Sequence, residues 1–168
     1  EGGRRKTAAF TPRKAKKLDI SPLDPEMRNK RKLFFSLVFG QHTGYVCIAF
    51  LTRDRKFREE FFNYPNDMEK MLTSIESNVR NHNIYFCSQL LNDKKRQKEN
   101  IESTPNAWSD LDLCDPELLL VRPTLVLESS PGRYQAFWCF DKNVDPDDAE
   151  NLSRLSLIHI SEPTRQAE

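Results

Sequence analysis

Residues 108–140 read WSDLDLCDPELLLVRPTLVLESSPGRYQAFWCF, and this stretch decides the fold. Three runs within it, at 108–113, 124–128 and 134–140, have the length and the apolar and aromatic content of β-strands. The SSPGR segment between the last two runs has the turn chemistry of a tight hairpin, with Pro and Gly at its centre. The stretch therefore predicts short strands that pair antiparallel.

The sequence on either side predicts helices and two more strands. Apolar residues at helical spacing and capping side chains indicate the helices, and continuous apolar runs indicate buried strands. The predicted elements are, in order, a helix at 26–39, a strand at 45–51, a helix at 66–81 capped by Asn66 or Asp67, a strand at 84–88, the three strands above, and a helix opened by Asp145 and Pro146. This order predicts an α+β fold with a mostly antiparallel sheet and flanking helices.

The length of the chain and the distribution of its charge limit the kinds of protein that it can be. The chain has 168 residues, which suits one domain, and no apolar run approaches the roughly 18 residues that cross a membrane. Its net charge of +1 is unevenly distributed, because residues 1–32 carry 11 Lys and Arg against 4 acids while the rest is net acidic. We expect residues 1–32 to be a disordered basic arm; such an arm either binds a polyanion or is simply a solvated tail.

The four cysteines, at positions 47, 87, 114 and 139, show no CxxC spacing. Three of them lie inside apolar runs, where a free cysteine packs as a small hydrophobic side chain. We therefore expect reduced thiols in a cytoplasmic protein, and neither a zinc site nor a disulfide framework.

The segment 155–168 reads LSLIHISEPTRQAE and predicts a non-native end. Its residues from Leu155 to Arg165 are encoded, in order, by the bases of a transposase-type sequencing adapter. We expect this segment to be translated adapter without a native role. The predicted domain then spans 33–154 and is cut short at its C-terminus.

The sharpest chemical feature is the pair Asp110 and Asp112. Residues i and i+2 of a strand project from the same face, so the two carboxylates would lie side by side and repel each other without a cation between them. Mg²⁺ typically takes one or two carboxylates together with substrate phosphates. The pair therefore indicates either a divalent metal site or the solvated end of a strand.

Two further patterns suit phosphate binding. The hairpin at 129–133 combines hydroxyl groups, a glycine turn and an arginine, all of which can contact phosphate oxygens, and it is equally typical of an ordinary hairpin. A basic run precedes the acidic strand and suits nucleic-acid phosphates or a solvated face. That run contains Lys94, Lys95, Arg96 and Lys98.

The order of these motifs resembles the RepB-like primase domains of the archaeo-eukaryotic primase superfamily, which plasmids, phages and mobile elements encode. The resemblance rests on the DxD strand, a Pro-containing loop and ESSPGRYQAFW, and it covers roughly residues 45–154. It implies an RRM-like catalytic core in which Asp110 and Asp112 are catalytic and hold Mg²⁺ or Mn²⁺. It also implies nucleotide binding by Ser130, Gly132, Arg133 and Gln135.

The resemblance implies a nucleotidyltransferase that uses nucleoside triphosphates on a single-stranded DNA template, with a helicase domain as a further partner. Many relatives carry His where this chain has Gln135, and an amide can donate a hydrogen bond but cannot carry a proton. The family's third carboxylate lies beyond the hairpin, so we expect the chain as it stands to be inactive.

Two alternatives stay open at this point. A relaxase or rolling-circle nickase needs paired histidines and a tyrosine nucleophile, and once the adapter segment is set aside the chain offers only His42 and His82, far apart in sequence. A non-catalytic nucleic-acid-binding domain with the same fold would explain both the basic arm and Gln135. Metal binding by Asp110 and Asp112 distinguishes a catalytic domain from a binding domain.

Overall fold

The computed structural model describes residues 25–101, 104–112 and 114–161, with the backbone alone for 155–161. Within these ranges the chain forms helices, strands and short 3-10 turns at 98–100 and 116–118. The helices and strands are α1 (Pro25–Phe39), β1 (Gly44–Thr52), β2 (Phe57–Tyr64), α2 (Met68–Asn78), β3 (His82–Phe86), β4 (Thr104–Asp112), β5 (Leu125–Ser130), β6 (Arg133–Val144) and α3 (Pro146–Ser161).

The described strands form two antiparallel sheets of three strands each. The first has the order β2-β1-β3 and the second the order β4-β6-β5. The predicted α+β class with antiparallel pairing is confirmed, and the strands divide between two small sheets.

Helices α1 and α2 cover the inner face of the first sheet. The central strand β1 alternates, and Val46, Ile48 and Phe50 project into this core, where each is fully buried. Burial of a side chain of this size contributes about 1.5–3 kcal/mol. Phe137 of β6 belongs to the same core, so the first sheet and one face of the second pack against each other.

A smaller core lies on the opposite face of the second sheet. Ala107 and Leu111 of β4 and Trp138 of β6 pack there with Ala149 of α3. Helix α3 begins as the sequence predicts, because the Asp145 carboxylate accepts a hydrogen bond of 2.8 Å from the Asp147 N–H. One face of the second sheet is therefore covered by α3, and the other is left to the first core and to solvent.

Asn106 joins the two sheets. Its side-chain amide is fully buried and donates to the carbonyl of Val38 at the end of α1 (3.1 Å) and to that of Ser88 just after β3 (2.8 Å). The Gln89 side chain in turn donates to the backbone carbonyl of Asn106 at 3.1 Å. These bonds fix the start of β4 against the first sheet.

Three features differ from, or add to, the sequence predictions. Strand β2 was not predicted, because FREEFFNY mixes charged and aromatic residues without a clear alternation. Helix α1 begins at Pro25, so residues 25–32 of the expected disordered arm form its first half, and residues 1–24 lie outside the described part. Helix α3 runs to Ser161 and includes part of the predicted adapter segment.

Opposite charges hold α1 against α2, which explains why the basic residues at the end of the predicted arm are ordered. Arg28 donates to Glu69 at 2.8 Å and also pairs with the buried carboxylate of Glu76, and Lys32 lies 2.7 Å from Glu69. The hydrogen bond to Glu69 raises the pKa of Arg28 above its ordinary value. These ion pairs therefore stabilise the contact between α1 and α2.

The four cysteines are free thiols, as the sequence predicts. Burial raises the pKa of Cys47 to about 12 and raises the pKa of Cys87 and Cys139 as well. None of the helices in the described ranges has the length and apolar content to span a membrane.

Candidate active site

A cleft of about 830 Å³ opens between β3, at the edge of the first sheet, and the exposed face of the second sheet. Side chains of β4, β5 and β6 form one wall, and β3 together with Arg31 of α1 forms the other. Four of the predicted site residues line this cleft. They are Asp110, Asp112, Arg133 and Gln135.

The alternation of β4 directs both carboxylates into the cleft. Ser109 and Leu111 are buried on the α3 side, whereas Trp108, Asp110 and Asp112 are exposed on the cleft side. Asp110 pairs with Gln135 in the register of β4 and β6, so a carboxylate and an amide stand side by side on one face. Trp108 also lies on this exposed face.

Asp112 ends β4 in an unusual backbone conformation. Its φ is +48°, a left-handed value in which Asp is among the better tolerated residues, and a bulge separates it from Asp110. Its N–H donates to the Asp110 carboxylate at 3.3 Å, and its own carboxylate lies 3.0 Å from the Arg133 guanidinium. Both partners of this ion pair are exposed, so it contributes at most about 1 kcal/mol and can be exchanged for another partner.

The hairpin presents a different hydroxyl from the one predicted. A bulge between Glu128 and Ser130 inserts Ser129 into β5, and Ser129 lines the cleft whereas Ser130 and Gly132 do not. Gly132 has a φ of +74° at the turn, and its N–H donates to the Glu128 carboxylate at 2.9 Å. Of the nucleotide-binding residues predicted on this hairpin, Arg133 and Gln135 therefore lie in the cleft.

Arg31 is a cleft residue that the sequence assigned only to the basic arm. Its side chain is largely buried, and one terminal nitrogen has no hydrogen-bond partner among the described residues. The nearest carboxylate oxygen to that nitrogen, on Glu76, is 3.8 Å away, too far for a hydrogen bond. A basic residue in the first half of a predicted helix is the only sequence signal for Arg31, and this signal does not reveal that its side chain lines a cleft.

The predicted basic run does not line this cleft. Arg96 pairs with Glu59 of β2 at 2.6 Å, and Lys98 pairs with Asp147 and Glu150 of α3 at 3.2 and 3.6 Å. Lys94 lies over the ring of Tyr45, at 5.5 Å from its centroid, and Lys95 is exposed beside it. Lys94, Lys95 and Arg96 therefore lie beside the first sheet, and Lys98 lies beside α3 in a second groove that Asp110 also lines.

The donor set in the cleft fits a hard divalent cation bound with its substrate. Asp110 and Asp112 offer carboxylate oxygens at the surface of an open cleft, which is the ligand type that Mg²⁺ and Mn²⁺ take. Within the described residues, no group of three or more His, Cys, Asp and Glu side chains could hold a metal ion. Two carboxylates would thus leave the remaining coordination positions to water and substrate phosphates.

Comparison with solved structures finds a protein of similar fold. The structure is similar to the AEP domain of the cyanophage S-2L primase-polymerase (PrimPol), with a TM-score of 0.58, 13% sequence identity, and coverage of 82% of this chain and 75% of that chain. At this identity the likeness shows the fold. No curated protein matches the chain significantly.

The sequence itself carries the family assignment. The RepB DNA-primase N-terminal domain family matches residues 52–159, which is more than half of the chain and includes β4, the hairpin and all four cleft residues named above. This agrees with the resemblance that the DxD strand and the hairpin indicate. The chain belongs to the RepB DNA-primase N-terminal domain family.

Proposed function

We propose that the chain is the nucleotidyl-transfer domain of a plasmid, phage or mobile-element primase, which joins nucleotides on a single-stranded DNA template by a two-metal mechanism. The observation that carries the proposal is the juxtaposition of Asp110 and Asp112 with Arg133 and Gln135 in one cleft. A pair of carboxylates next to cationic and amide donors suits a nucleoside triphosphate with its divalent cation.

Each cleft residue has a role that its chemistry supports. Asp110 and Asp112 would hold Mg²⁺ or Mn²⁺, which supplies positive charge to the phosphates at the reacting centre. Arg133 would bind phosphate oxygens through charge-assisted hydrogen bonds, and Gln135 would donate a neutral one. Arg31, which lines the opposite wall, would contact a phosphate across the cleft.

In the proposed reaction, the 3′-oxygen of the growing strand forms a bond to the α-phosphorus of the incoming nucleotide, and the bond to pyrophosphate breaks. The chain's own contribution is to position the two reactants, since phosphoryl transfer depends mainly on alignment and charge. Ser129 and Gln135 can hydrogen-bond the triphosphate, but neither residue can act as a strong proton donor at neutral pH.

The first test measures Mn²⁺ binding by the chain with Asp110→Asn plus Asp112→Asn. We expect this double variant to lose more than about a hundredfold in Mn²⁺ affinity, since removing even a supporting residue of a metal site typically costs 10- to 100-fold. The matched control is Asp141→Asn plus Asp148→Asn, which neutralises two exposed carboxylates outside the cleft. Equal Mn²⁺ affinity in the two double variants would refute the metal site.

The second test measures Mn²⁺-dependent binding of a nucleoside triphosphate. Arg31→Gln and Arg133→Gln should each weaken it by about tenfold or more, because a hydrogen bond to a charged group contributes about 1.5–3 kcal/mol. Gln135→His should retain binding, since the imidazole still offers a donor. Primer synthesis is then measured with the full-length protein, in which the double Asp variant should be inactive.

A non-catalytic nucleic-acid-binding domain is the second candidate, and Gln135 is the observation that favours it. Such a domain would bind DNA without Mn²⁺-dependent nucleotide binding, which the second test detects. Of the two histidines weighed for a nickase, His82 lines the cleft and His42 follows α1 without lining it, so the structure supplies no histidine pair there.

A further inference from the structure

A second groove, of about 540 Å³, lies on the outer face of the first sheet. Its floor is formed by two small side chains of β1, Cys47 and Ala49, both of which are buried. Large aromatic rings stand around this floor: Phe57 and Tyr85 are each 52% exposed, and Trp108 is 39% exposed. We call these three rings, together with Arg96, the aromatic groove.

The aromatic groove is continuous with the cleft. Tyr85 and Trp108 line both, so a ligand that leaves Asp110 along the second sheet meets these two rings first. Phe57 lies farther out: it pairs with Leu51 on one side of β1, whereas Tyr85 pairs with Ala49 on the other. From strand spacing and rise, Phe57 and Tyr85 are roughly 12 Å apart, so the two rings can contact different bases of one strand.

The charge in the aromatic groove suits a polyanion. The Arg96 guanidinium lies 5.8 Å from the centroid of the Phe57 ring, so a cation stands at the outer end of the row of rings. Arg96 also pairs with Glu59 at 2.6 Å, an exposed contact that a phosphate can replace. Aromatic rings beside a cation are the combination by which proteins bind single-stranded nucleic acids, with bases stacked on the rings and phosphates near the charge.

Exposed rings of this size in one patch are typical of an interaction surface. A protein partner would account for the rings alone. A single-stranded nucleic acid also accounts for the cation and for the continuity with a cleft that carries phosphate-binding groups. A duplex does not suit the groove, because its bases are stacked on each other and expose no free ring face.

We propose that the aromatic groove binds the single-stranded DNA template next to the cleft, with bases stacked on Tyr85 and Phe57, Trp108 at the junction, and a phosphate beside Arg96. The assignment of template as the ligand rests on the proposed function. The stacking surface itself is a property of the first sheet and requires no metal or nucleotide.

The experiment measures binding of a labelled oligothymidylate of about 16 nucleotides to the full chain, by fluorescence anisotropy without divalent cation. Phe57→Leu and Tyr85→Leu remove a ring face but keep apolar bulk. Each should weaken binding by about fivefold or more, since stacking of one base on one ring accounts for about 5- to 150-fold in affinity. The control Leu120→Ala changes an exposed apolar residue elsewhere and should alter affinity by less than about twofold.

Intrinsic fluorescence gives an independent readout in the unmodified chain. The two tryptophans differ, because Trp138 is buried and donates to the Val121 carbonyl whereas Trp108 is exposed. Quenching on addition of oligothymidylate therefore reports contact at Trp108, and a duplex of the same length should quench far less. Arg96→Gln should lower the slope of log affinity against log salt by about 0.7.

Three outcomes would overturn the proposal. The first is that the Phe57→Leu plus Tyr85→Leu variant binds oligothymidylate with an affinity within about twofold of that of the parent. Another is duplex binding as tight as single-strand binding. The third is self-association that this double variant abolishes while DNA binding stays unchanged, since the groove would then be an interface between copies. The Asp110→Asn plus Asp112→Asn variant should bind oligothymidylate without divalent cation as the parent does. Its DNA binding therefore tests the aromatic groove separately from the metal site of the proposed function.

Discussion

Replacement of Asn106 by Ala tests whether the two sheets depend on one buried amide. The Asn106 side chain donates to two carbonyls, of Val38 and of Ser88, that belong to α1 and to the segment after β3. The variant removes both donors and leaves both acceptors in a site with no exposure at Asn106.

The expected cost follows from the two orphaned carbonyls. Each unpaired buried acceptor costs about 1–3 kcal/mol, so the free energy of unfolding should fall by about 2–6 kcal/mol. This is a large share of the roughly 5–15 kcal/mol that stabilises a typical domain. The midpoint of thermal unfolding should fall by roughly 4–24 °C for a domain of this size.

Urea unfolding monitored by circular dichroism measures the change, with Asn100→Ala as the matched control. Asn100 makes a single side-chain hydrogen bond, to the Lys95 carbonyl, in a more exposed setting, so its loss should cost less than about 1 kcal/mol. Asn106→Asp should be at least as destabilising as Asn106→Ala at neutral pH, because a carboxylate would face two carbonyls. That cost should shrink as the pH falls, since the protonated acid can donate one bond. An Asn106→Ala variant within about 1 kcal/mol of the parent would refute the reasoning.

Three further outcomes are expected. Deletion of residues 1–24 should flatten the salt dependence of DNA binding without unfolding the domain, and an unchanged slope would show that this segment makes no phosphate contacts. Cys47 should react with iodoacetamide far more slowly in the folded chain than in urea, because burial raises its pKa to about 12 and leaves little thiolate at neutral pH. Mass spectrometry at equal reaction times measures both rates, and equal rates would contradict this expectation. Hydrogen bonding to Lys32 and Arg28 lowers the pKa of Glu69 in the folded chain. The stability that these contacts contribute is therefore present above the ordinary pKa of Glu, and it is lost as the pH falls through the lowered pKa of Glu69. The stability difference between the parent and Glu69→Gln should therefore shrink below about pH 4.3, and a constant difference would contradict it.

The local patterns of the sequence predicted most of the second sheet and its site. The period of two along β4 places Asp110 and Asp112 on one face, and the same period along β6 places Gln135 and Phe137 together, because strand geometry is set by neighbouring residues alone. The turn chemistry at Gly132 likewise located the hairpin.

Features that depend on distant residues or on register escaped prediction. Arg31 faces the cleft only because α1 packs beside β3, and Asn106 finds its acceptors 68 and 18 residues away. The bulge beside Ser129 is a one-residue change of pairing, which the composition of the hairpin does not predict. Strand β2 forms because it pairs with β1, and its mixed sequence of charged and aromatic residues does not predict this pairing.

The alternation of β4 between Asn106 and Asp110 also limits how the length of the chain can change during evolution. Removal of one residue between Asn106 and Asp110 would turn the carboxylates toward α3 and bring Ser109 to the cleft, so the site would be lost without any substitution. The connections at 92–101 and 114–124 lie outside the sheets, and extra residues there cost little loop entropy. Among relatives, insertions and deletions should therefore accumulate on both sides of β4 while the spacing from the buried amide to the two carboxylates stays constant.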